Sequence, residues 1–414
     1  MKRYALSILL GLLIVAGVGS YYVYNAADRL PQYRLMTLEG NADEAAKIEL
    51  SGHYGGRMRS ESLTVGIDGS DYSSRESVFS KSFFGARRWF TERYGMKQLI
   101  AEHRQFMRGK GWPFGFYKDK EWLIYVQPAI LNRDKPAQRA VLNVSLLHLD
   151  SGKSQNFETI VGGGPSFISG SYDVQRLGNE LHIVAAQSYW PEQSADHTAD
   201  SLKIEYYDYV VNMTSGQLIR EVKLDPGFVN TKEIEYRIDV ATGSNNVEPS
   251  AYCLLVVNEN KVWTNEHGKN SERIAAHLYS YSYKTGQLTA LPETLSEGKL
   301  GPRFNYSLTG NQLYSHDSSP GIIRLKTYNL ETGVTGKEMT ITAKQLGADK
   351  IDNAVLEDDR LYILMHRSRT ALAAVVNAMD GTVLYKGEAV YNGPKKEAAA
   401  NLAHLNLLNI GLKH

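Results

Sequence analysis

The sequence predicts an all-β protein, a β-propeller behind a single N-terminal membrane helix. Three observations lead there: one recurring strand–turn–Gly pattern, an abundance of tyrosine and glycine, and an uncharged apolar run at the start. The 26 Tyr side chains suit half-buried pleated surfaces, and the 36 Gly suit a chain with many tight turns. The 414 residues, with 43% apolar and 22% charged, belong to a globular chain and not a disordered one.

Met1-Lys2-Arg3 precedes an uncharged segment, Ala5–Tyr24, long enough to cross a bilayer as a helix. The two cations favour an inside N-terminus, residues 1–4, which puts the bulk of the chain beyond the membrane. Tyr21, Tyr22 and Tyr24 stand where an interfacial aromatic belt would lie. A cleaved signal peptide is the competing reading, but Val18-Gly19-Ser20 matches the Ala-x-Ala cleavage pattern poorly. No Cys follows the run, so a lipoprotein anchor is not expected. Residues 25–45 are polar and mixed and read as a stalk. Strand patterning is expected over residues 46–390, with residues 391–414 as a cap or a closing strand.

The repeat has two halves. The first is a polar turn leading into a strand, as at Lys120–Val126, Asn179–Val184, Gly310–Tyr314 and Asp358–Leu364. The second is an alternating strand that reverses at Asp150-Ser151-Gly152, Thr214-Ser215-Gly216, Lys284-Thr285-Gly286, Glu331-Thr332-Gly333 and Met379-Asp380-Gly381. Polar side chains before each Gly bond their own backbone, and Gly accepts a positive φ, so the strand turns back as a hairpin. Gly286 to Gly333 and Gly333 to Gly381 each span one blade length, about 40–50 residues. Gly152 to Gly216 and Gly216 to Gly286 are longer by roughly 15–20 residues, the size of a loop insertion. Candidate insertions are Trp190–Ser201 and Gly243–Glu248. The length predicts seven blades, with six or eight as alternatives.

Leu149-Asp150-Ser151-Gly152-Lys153, Tyr283-Lys284-Thr285-Gly286-Gln287 and Leu330-Glu331-Thr332-Gly333-Val334 resemble the strand–turn signature of quinoprotein-like (PQQ-like) β-propeller repeats over residues 120–385. The family's tryptophan after the turn glycine, which packs blade on blade, is missing here. The resemblance therefore implies the fold and not quinone chemistry, and no cofactor is expected.

Residues 80–110 break the strand pattern. Trp89, Phe90, Met96, Leu99, Ile100, His103, Phe106 and Met107 recur at helical spacing, interrupted by Gly95. Lys81, Arg87, Arg88, Arg93, Lys97, Arg104, Arg108 and Lys110 oppose only Glu92 and Glu102. Two expectations follow. One is a helix packed on the propeller with a solvated basic face; the other is contact with anionic headgroups or an acidic envelope polymer through Arg87, Arg88, Arg93, Lys97, Arg104 and Arg108. The near balance of 46 basic and 45 acidic residues argues against nucleic-acid binding.

Catalytic signals are weak. Cys253 sits in an apolar strand and is expected to be a buried hydrophobe. Asp196-His197-Thr198-Ala199-Asp200 lacks regular metal-ligand spacing, and no metal is expected. His316-Asp317-Ser318-Ser319 has hydrolase residue types without a nucleophile elbow. Val161–Ser166 is Gly-rich but carries no phosphate-loop Lys. Glu233, Glu235 and Asp239 become a glycosidase pair only if the fold brings two together. Tyr189, Trp190, Trp263, Tyr236 and Trp112 are the aromatic residues in or near expected loops, and Tyr189, Trp190 and Trp263 are the ligand-binding candidates. The function expected is a membrane-tethered, extracytoplasmic binding or sensing platform for an envelope protein or polysaccharide. An extracytoplasmic propeller enzyme, a glycan hydrolase or lyase or an oxidoreductase, is the alternative. A scaffold for membrane-protein assembly is the third expectation.

Overall fold

In the computed structural model, residues 14, 15, 17, 30–56, 60–75, 95–131, 138–162, 166–189, 202–241, 247–266, 268–295, 304–357 and 359–413 are described. They form six antiparallel sheets in a propeller-like, all-β arrangement. In chain order, β1 (Tyr33–Gly40) comes first, then β2 (Ile48–Gly55), β3 (Ser60–Val65) and β4 (Ser70–Tyr72) of sheet 1. Two short helices follow, α1 (Met96–Glu102) and α2 (Arg104–Met107). Sheet 2 is β5 (Phe116–Lys118), β6 (Trp122–Leu131), β7 (Arg139–His148) and β8 (Ser154–Val161). Sheet 3 is β9 (Phe167–Leu177), β10 (Glu180–Tyr189), β11 (Lys203–Asn212) and β12 (Leu218–Lys223). Sheet 4 is β13 (Ile234–Ala241), β14 (Tyr252–Asn265), β15 (Gly268–Ser282) and β16 (Gln287–Ala290). Sheet 5 is β17 (Phe304–Thr309), β18 (Gln312–Ser319), β19 (Ile322–Asn329) and β20 (Met339–Thr342). Sheet 6 is β21 (Lys350–Glu357), β22 (Arg360–Arg367), β23 (Thr370–Asn377) and β24 (Val383–Tyr391), followed by helix α3 (Lys395–Ala403) and β25 (Leu405–Leu412).

The two chain ends exchange places. β1 adds to the outer edge of sheet 6 by pairing with β24, and β25 completes sheet 1 by pairing with β2. Each end is thus held in the sheet built by the other end. Ladder bonds satisfy edge groups that would otherwise stand open.

Side-chain alternation sends the two faces of one strand to two neighbours. In β22, Leu361, Ile363 and Met365 pack towards sheet 5, while Tyr362 and Leu364 pack towards sheet 1. In β14, Leu254 and Val256 face sheet 5, and Cys253 and Leu255 face sheet 3. In β6, Ile124 and Val126 face sheet 3, and Leu123 and Tyr125 meet α1 and α2 instead of another sheet. Each such Leu or Ile contributes about 1.5–3 kcal/mol by leaving water. Sheet 1 differs: Ile48, Leu50, Leu63 and Val65 face sheet 6, but Glu49, Ser51, His53, Ser62 and Thr64 line a polar, partly exposed opposite face.

The repeated turns share one geometry. The N–H groups of Gly152, Gly216, Gly286, Gly333 and Gly381 each donate to the carbonyl four residues earlier, at 2.8–2.9 Å. All five glycines have φ between 66° and 78°. The Asn212, Asn329 and Asn377 side chains cap their turns by accepting backbone N–H bonds two and, in the first two, three residues on. At Gly216 a Cβ would also lie 2.9 Å from the Phe157 ring of sheet 2, so the turn doubles as an inter-sheet contact.

Several expectations change. The described residues hold six sheets where seven were expected. The extra length lies in the helical segment, the connections within sheets 3 and 4, and the long β14–β15 hairpin. Residues 33–40, assigned to the stalk, are β1, because Tyr33 and Leu35 alternate into the core. Helical packing ends at a break: Gly95, at φ 64°, sits before α1 and not inside a helix, and His103 separates α1 from α2. The C-terminal segment is both a helix and a closing strand. The apolar run 5–24 lies almost wholly outside the described residues, and no described helix is long and apolar enough to cross a membrane.

Candidate functional site

In an antiparallel four-strand meander the second-to-third connections all fall at one end, opposite the strand–turn–Gly hairpins. Tyr189 and Trp263 both stand at that end, on neighbouring sheets. Tyr189 is the last residue of β10, opposite Lys203. Burial, followed by the nearby Glu205 carboxylate, raises its phenol above the usual range. Glu205 accepts from the Tyr207 hydroxyl at 2.7 Å and pairs with Lys223 at 3.0 Å, and Lys223 also meets Asp225 at 3.2 Å. Hydrogen bonds from Lys223 to these two carboxylates push its ammonium above its ordinary value. Trp190 lies outside the described residues.

Trp263 sits near the tip of the β14–β15 hairpin, whose strands are 14 and 15 residues long, against 10 in the corresponding hairpins of sheets 2 and 3. β13 pairs with β14 only as far as Lys261, so the tip stands out as a two-stranded arm. Trp263 is 43% exposed and Ile274 46%. The base is stiffened by Phe228, which stacks on Tyr236 at 4.6 Å and on His277 at 5.0 Å. Glu235 ties Arg237 (3.1 Å) to Lys269 (2.9 Å) across the arm. This is a rigid stem carrying an exposed aromatic tip, an arrangement suited to stacking on a sugar or on an apolar side chain.

The basic segment is only partly described. Arg87, Arg88 and Arg93 lie outside the described residues, as does the Lys97 side chain. Arg104 and Arg108 are exposed, at the start of α2 and just past its end. Beneath them Met96, Leu99 and Met107 pack on Phe116, Leu123 and Tyr125 of sheet 2. The Trp112 indole N–H donates to the Ser171 carbonyl at 2.8 Å, so Trp112 is a structural contact between this segment and sheet 3.

The densest polar cluster was not foreseen in the sequence. Between sheets 3 and 4, Asp208 is bonded to His182 Nδ1 at 2.7 Å, the Tyr281 hydroxyl at 2.8 Å and the Ile183 N–H at 3.1 Å. Asp173 accepts from the Tyr283 hydroxyl at 2.6 Å, the Val174 N–H at 2.9 Å and the Gln175 amide at 3.0 Å. Gln175 in turn accepts from the Ser250 N–H at 2.8 Å, joining the loop before β14 to sheet 3. Burial pushes the Asp173 carboxyl up to about 6. Cys253 lies beside it, and burial raises its thiol well above the usual range. Its residue types are those of acid–base chemistry, but Asp208 is fully buried and His182 is 1% exposed. With both carboxylates bonded on several sides and solvent excluded, it holds two sheets in register.

The other sequence candidates disperse. His316 is buried, which lowers its imidazole to about 4, and Ser319 Oγ donates to the Ile322 carbonyl at 3.3 Å. Asp196–Asp200 and Gly163–Pro165 lie outside the described residues. Asp239 is bonded to the Asn258 amide at 2.6 Å, and Glu235 is held in the arm. A pair that sequence reasoning missed is Asp352 and His366, 2.5 Å apart on β21 and β22, with Lys350 at 2.6 Å from the same carboxylate. Fourteen residues of hairpin separate them, so spacing carried no signal. No group of three or more metal-ligating side chains forms among the described residues.

No family model and no curated protein matches the sequence. Among solved structures, the chain is similar to an uncharacterised protein of Listeria monocytogenes at 11% identity and TM-score 0.34, covering 67% of each chain. A Trypanosoma rangeli sialidase matches at 10% identity and TM-score 0.30, over 70% of this chain and 54% of the sialidase, about half its length. A polysaccharide lyase of the ulvan lyase family matches at 10% identity and TM-score 0.33, over 87% of this chain and 86% of that one.

Proposed function

We propose that this protein is a binding or sensing platform, tethered to the membrane by its N-terminal apolar segment, that engages an envelope protein or polysaccharide through one end of its stacked sheets. The observation that carries this reading is the stiffened β14–β15 arm with Trp263 exposed at its tip, at the same end as Tyr189. An aromatic group held out on a rigid stem loses little freedom on binding, which is the economy of a recognition surface. The buried titratable groups between sheets 3 and 4 favour the same reading, because a substrate has no route to them in the folded chain. The test is binding of the detergent-purified full chain to arrays of envelope polysaccharides and envelope proteins. Trp263→Ala is expected to weaken the best ligand at least tenfold, as loss of a hot-spot aromatic of about 2 kcal/mol would, with unchanged melting. Equal binding by wild type, Trp263→Ala and Tyr189→Ala would sink the proposal.

The enzyme alternative rests on Asp352 and His366, an acid–base pair in form. It predicts a glycan-cleaving activity that His366→Ala abolishes while glycan binding persists.

A further inference from the structure

A second, separate site lies at the opposite end of sheet 2. A cleft of about 530 Å³ opens between α2 and the β7–β8 hairpin, within the ~300–1,000 Å³ range of small-molecule sites. One wall carries Arg104, Gln105, Phe106 and Lys110, and the other Ser154 and Asn156. From this cleft the geometry points to a binding site for an anionic sugar unit, a hexose-sized ring bearing a carboxylate or sulfate.

The charge argument comes first. Glu102 is the carboxylate in the lining, and it is occupied: Gln98 donates to it at 2.7 Å, Lys118 at 3.1 Å, and His103 stands at 3.7 Å. These bonds, that from Gln98 foremost, hold its carboxyl below the usual range. Among the described residues, neither Arg104 nor Lys110 has a carboxylate partner. Lys110 is not loose: its ammonium lies 4.2 Å from the Phe106 ring centroid and 5.6 Å from that of Tyr125. The Tyr125 ring is fixed in turn, because its hydroxyl accepts from the Gly111 and Trp112 N–H groups at 3.4 and 3.3 Å. A cation positioned in advance and left without a counter-charge costs little to order when an anion arrives.

Shape and polarity narrow the ligand. The volume exceeds the need of a lone inorganic anion. Gln105, Ser154 and Asn156 are exposed groups that both donate and accept, which matches ring hydroxyls. Phe106 and Leu147 add apolar surface for the C–H side of a ring.

Calorimetry on the full chain in detergent at low salt tests this, with four probes: a uronic-acid disaccharide, a neutral disaccharide of the same size, inorganic phosphate, and phosphatidylglycerol vesicles. The expected result is binding of the acidic disaccharide, weakened at least fivefold by Arg104→Gln and lost in Arg104→Gln/Lys110→Met. Trp263→Ala should bind it as wild type does, which separates this site from the rim. No binding of the acidic disaccharide, equal binding of the neutral one, or binding of phosphate or vesicles alone would overturn the proposal. So would loss of binding in Trp263→Ala. Arg104 is exposed, so if Lys110→Met fails to fold, Arg104→Gln alone decides, with its melting compared to wild type.

Discussion

Two sheet faces are covered by opposite means. Between sheets 3 and 4, Asp173, Asp208, His182, Tyr281 and Tyr283 form a sealed hydrogen-bonded network. On the outer face of sheet 2, Met96, Leu99 and Met107 of α1 and α2 form an apolar wedge, and ion pairs remain at its exposed rim. The first cover is directional: each partner must occupy one place. The second is adaptable, since unbranched thioether side chains fill irregular gaps. Sheets that repeat can therefore be locked by polar pairing, while the segment outside the repeat is held mainly by apolar shape, with polar ties such as the Trp112 indole–Ser171 bond at its edge. The contrast makes the sheet 3–4 interface the stiffer part and the wedge the natural place for a ligand cleft.

Breaking the network should have the largest effect. Asp208→Ala leaves His182, the Tyr281 hydroxyl and the Ile183 N–H without their acceptor in a dry interface. A loss of about 3–5 kcal/mol is expected in denaturant unfolding. A loss below ~1 kcal/mol would mean that water reaches the network.

The next effect depends on pH. Asp173 has a folded pKa of about 6 against about 3.9 when unfolded. Raised folded affinity for the proton means that its stabilising contribution is complete below about pH 4. It is lost as pH rises, because the unfolded carboxyl ionises first, and the loss is complete above about pH 6. The shift amounts to roughly 3 kcal/mol. Asp173→Asn should remove this fall from the stability–pH curve between about pH 4 and 6. An unchanged slope would place the titration elsewhere.

Met107→Ala tests the wedge. Met-to-Ala changes in cores cost about 2–5 kcal/mol, and the low end is expected where neighbours can slump inward. Hydrogen exchange should quicken across 95–110 while the amides of β10 and β14 keep their protection. Loss of protection in both regions would show one cooperative unit.

Particular residues show why the outline was legible and the sites were not. Gly152, Gly216, Gly286, Gly333 and Gly381 announced their turns because a positive φ and a polar cap are local requirements that sequence displays directly. β6, β10, β18 and β22 were legible for the same reason, each following a short polar turn. β1 was missed because it is isolated and its partner β24 lies at the far end of the chain. The network was invisible because Asp208 meets Tyr281 only once two sheets are stacked. Tyr189 and Trp263 were expected in or near loops; both lie in strands, close to their ends and at one end of the sheets, but the arm that lifts Trp263 depends on strand length, which alternation does not bound. The cleft joins α2 to a hairpin more than 40 residues away, and only the folded chain sets them face to face.

The smallest effect sharpens the contrast most cleanly. Lys118 and Glu102 form an ion pair at 3.1 Å at the rim of the wedge, with side chains 31% and 40% exposed. Their atoms resemble those of the sealed network, but water solvates both partners before and after they meet. An exposed pair of this kind is worth about 0.2–1 kcal/mol, and screening by salt removes most of it. Lys118→Met should therefore cost no more than ~1 kcal/mol at low salt and nothing measurable in 1 M salt. The Glu102 carboxyl is held below its ordinary value, chiefly by the Gln98 hydrogen bond. Its small contribution is present at neutral pH and fades as pH falls through the carboxylate range. The Asp208→Ala loss should by contrast stand undiminished in 1 M salt, because no ion enters the dry interface. Equal salt sensitivity in the two variants would mean that burial does not separate the two regions.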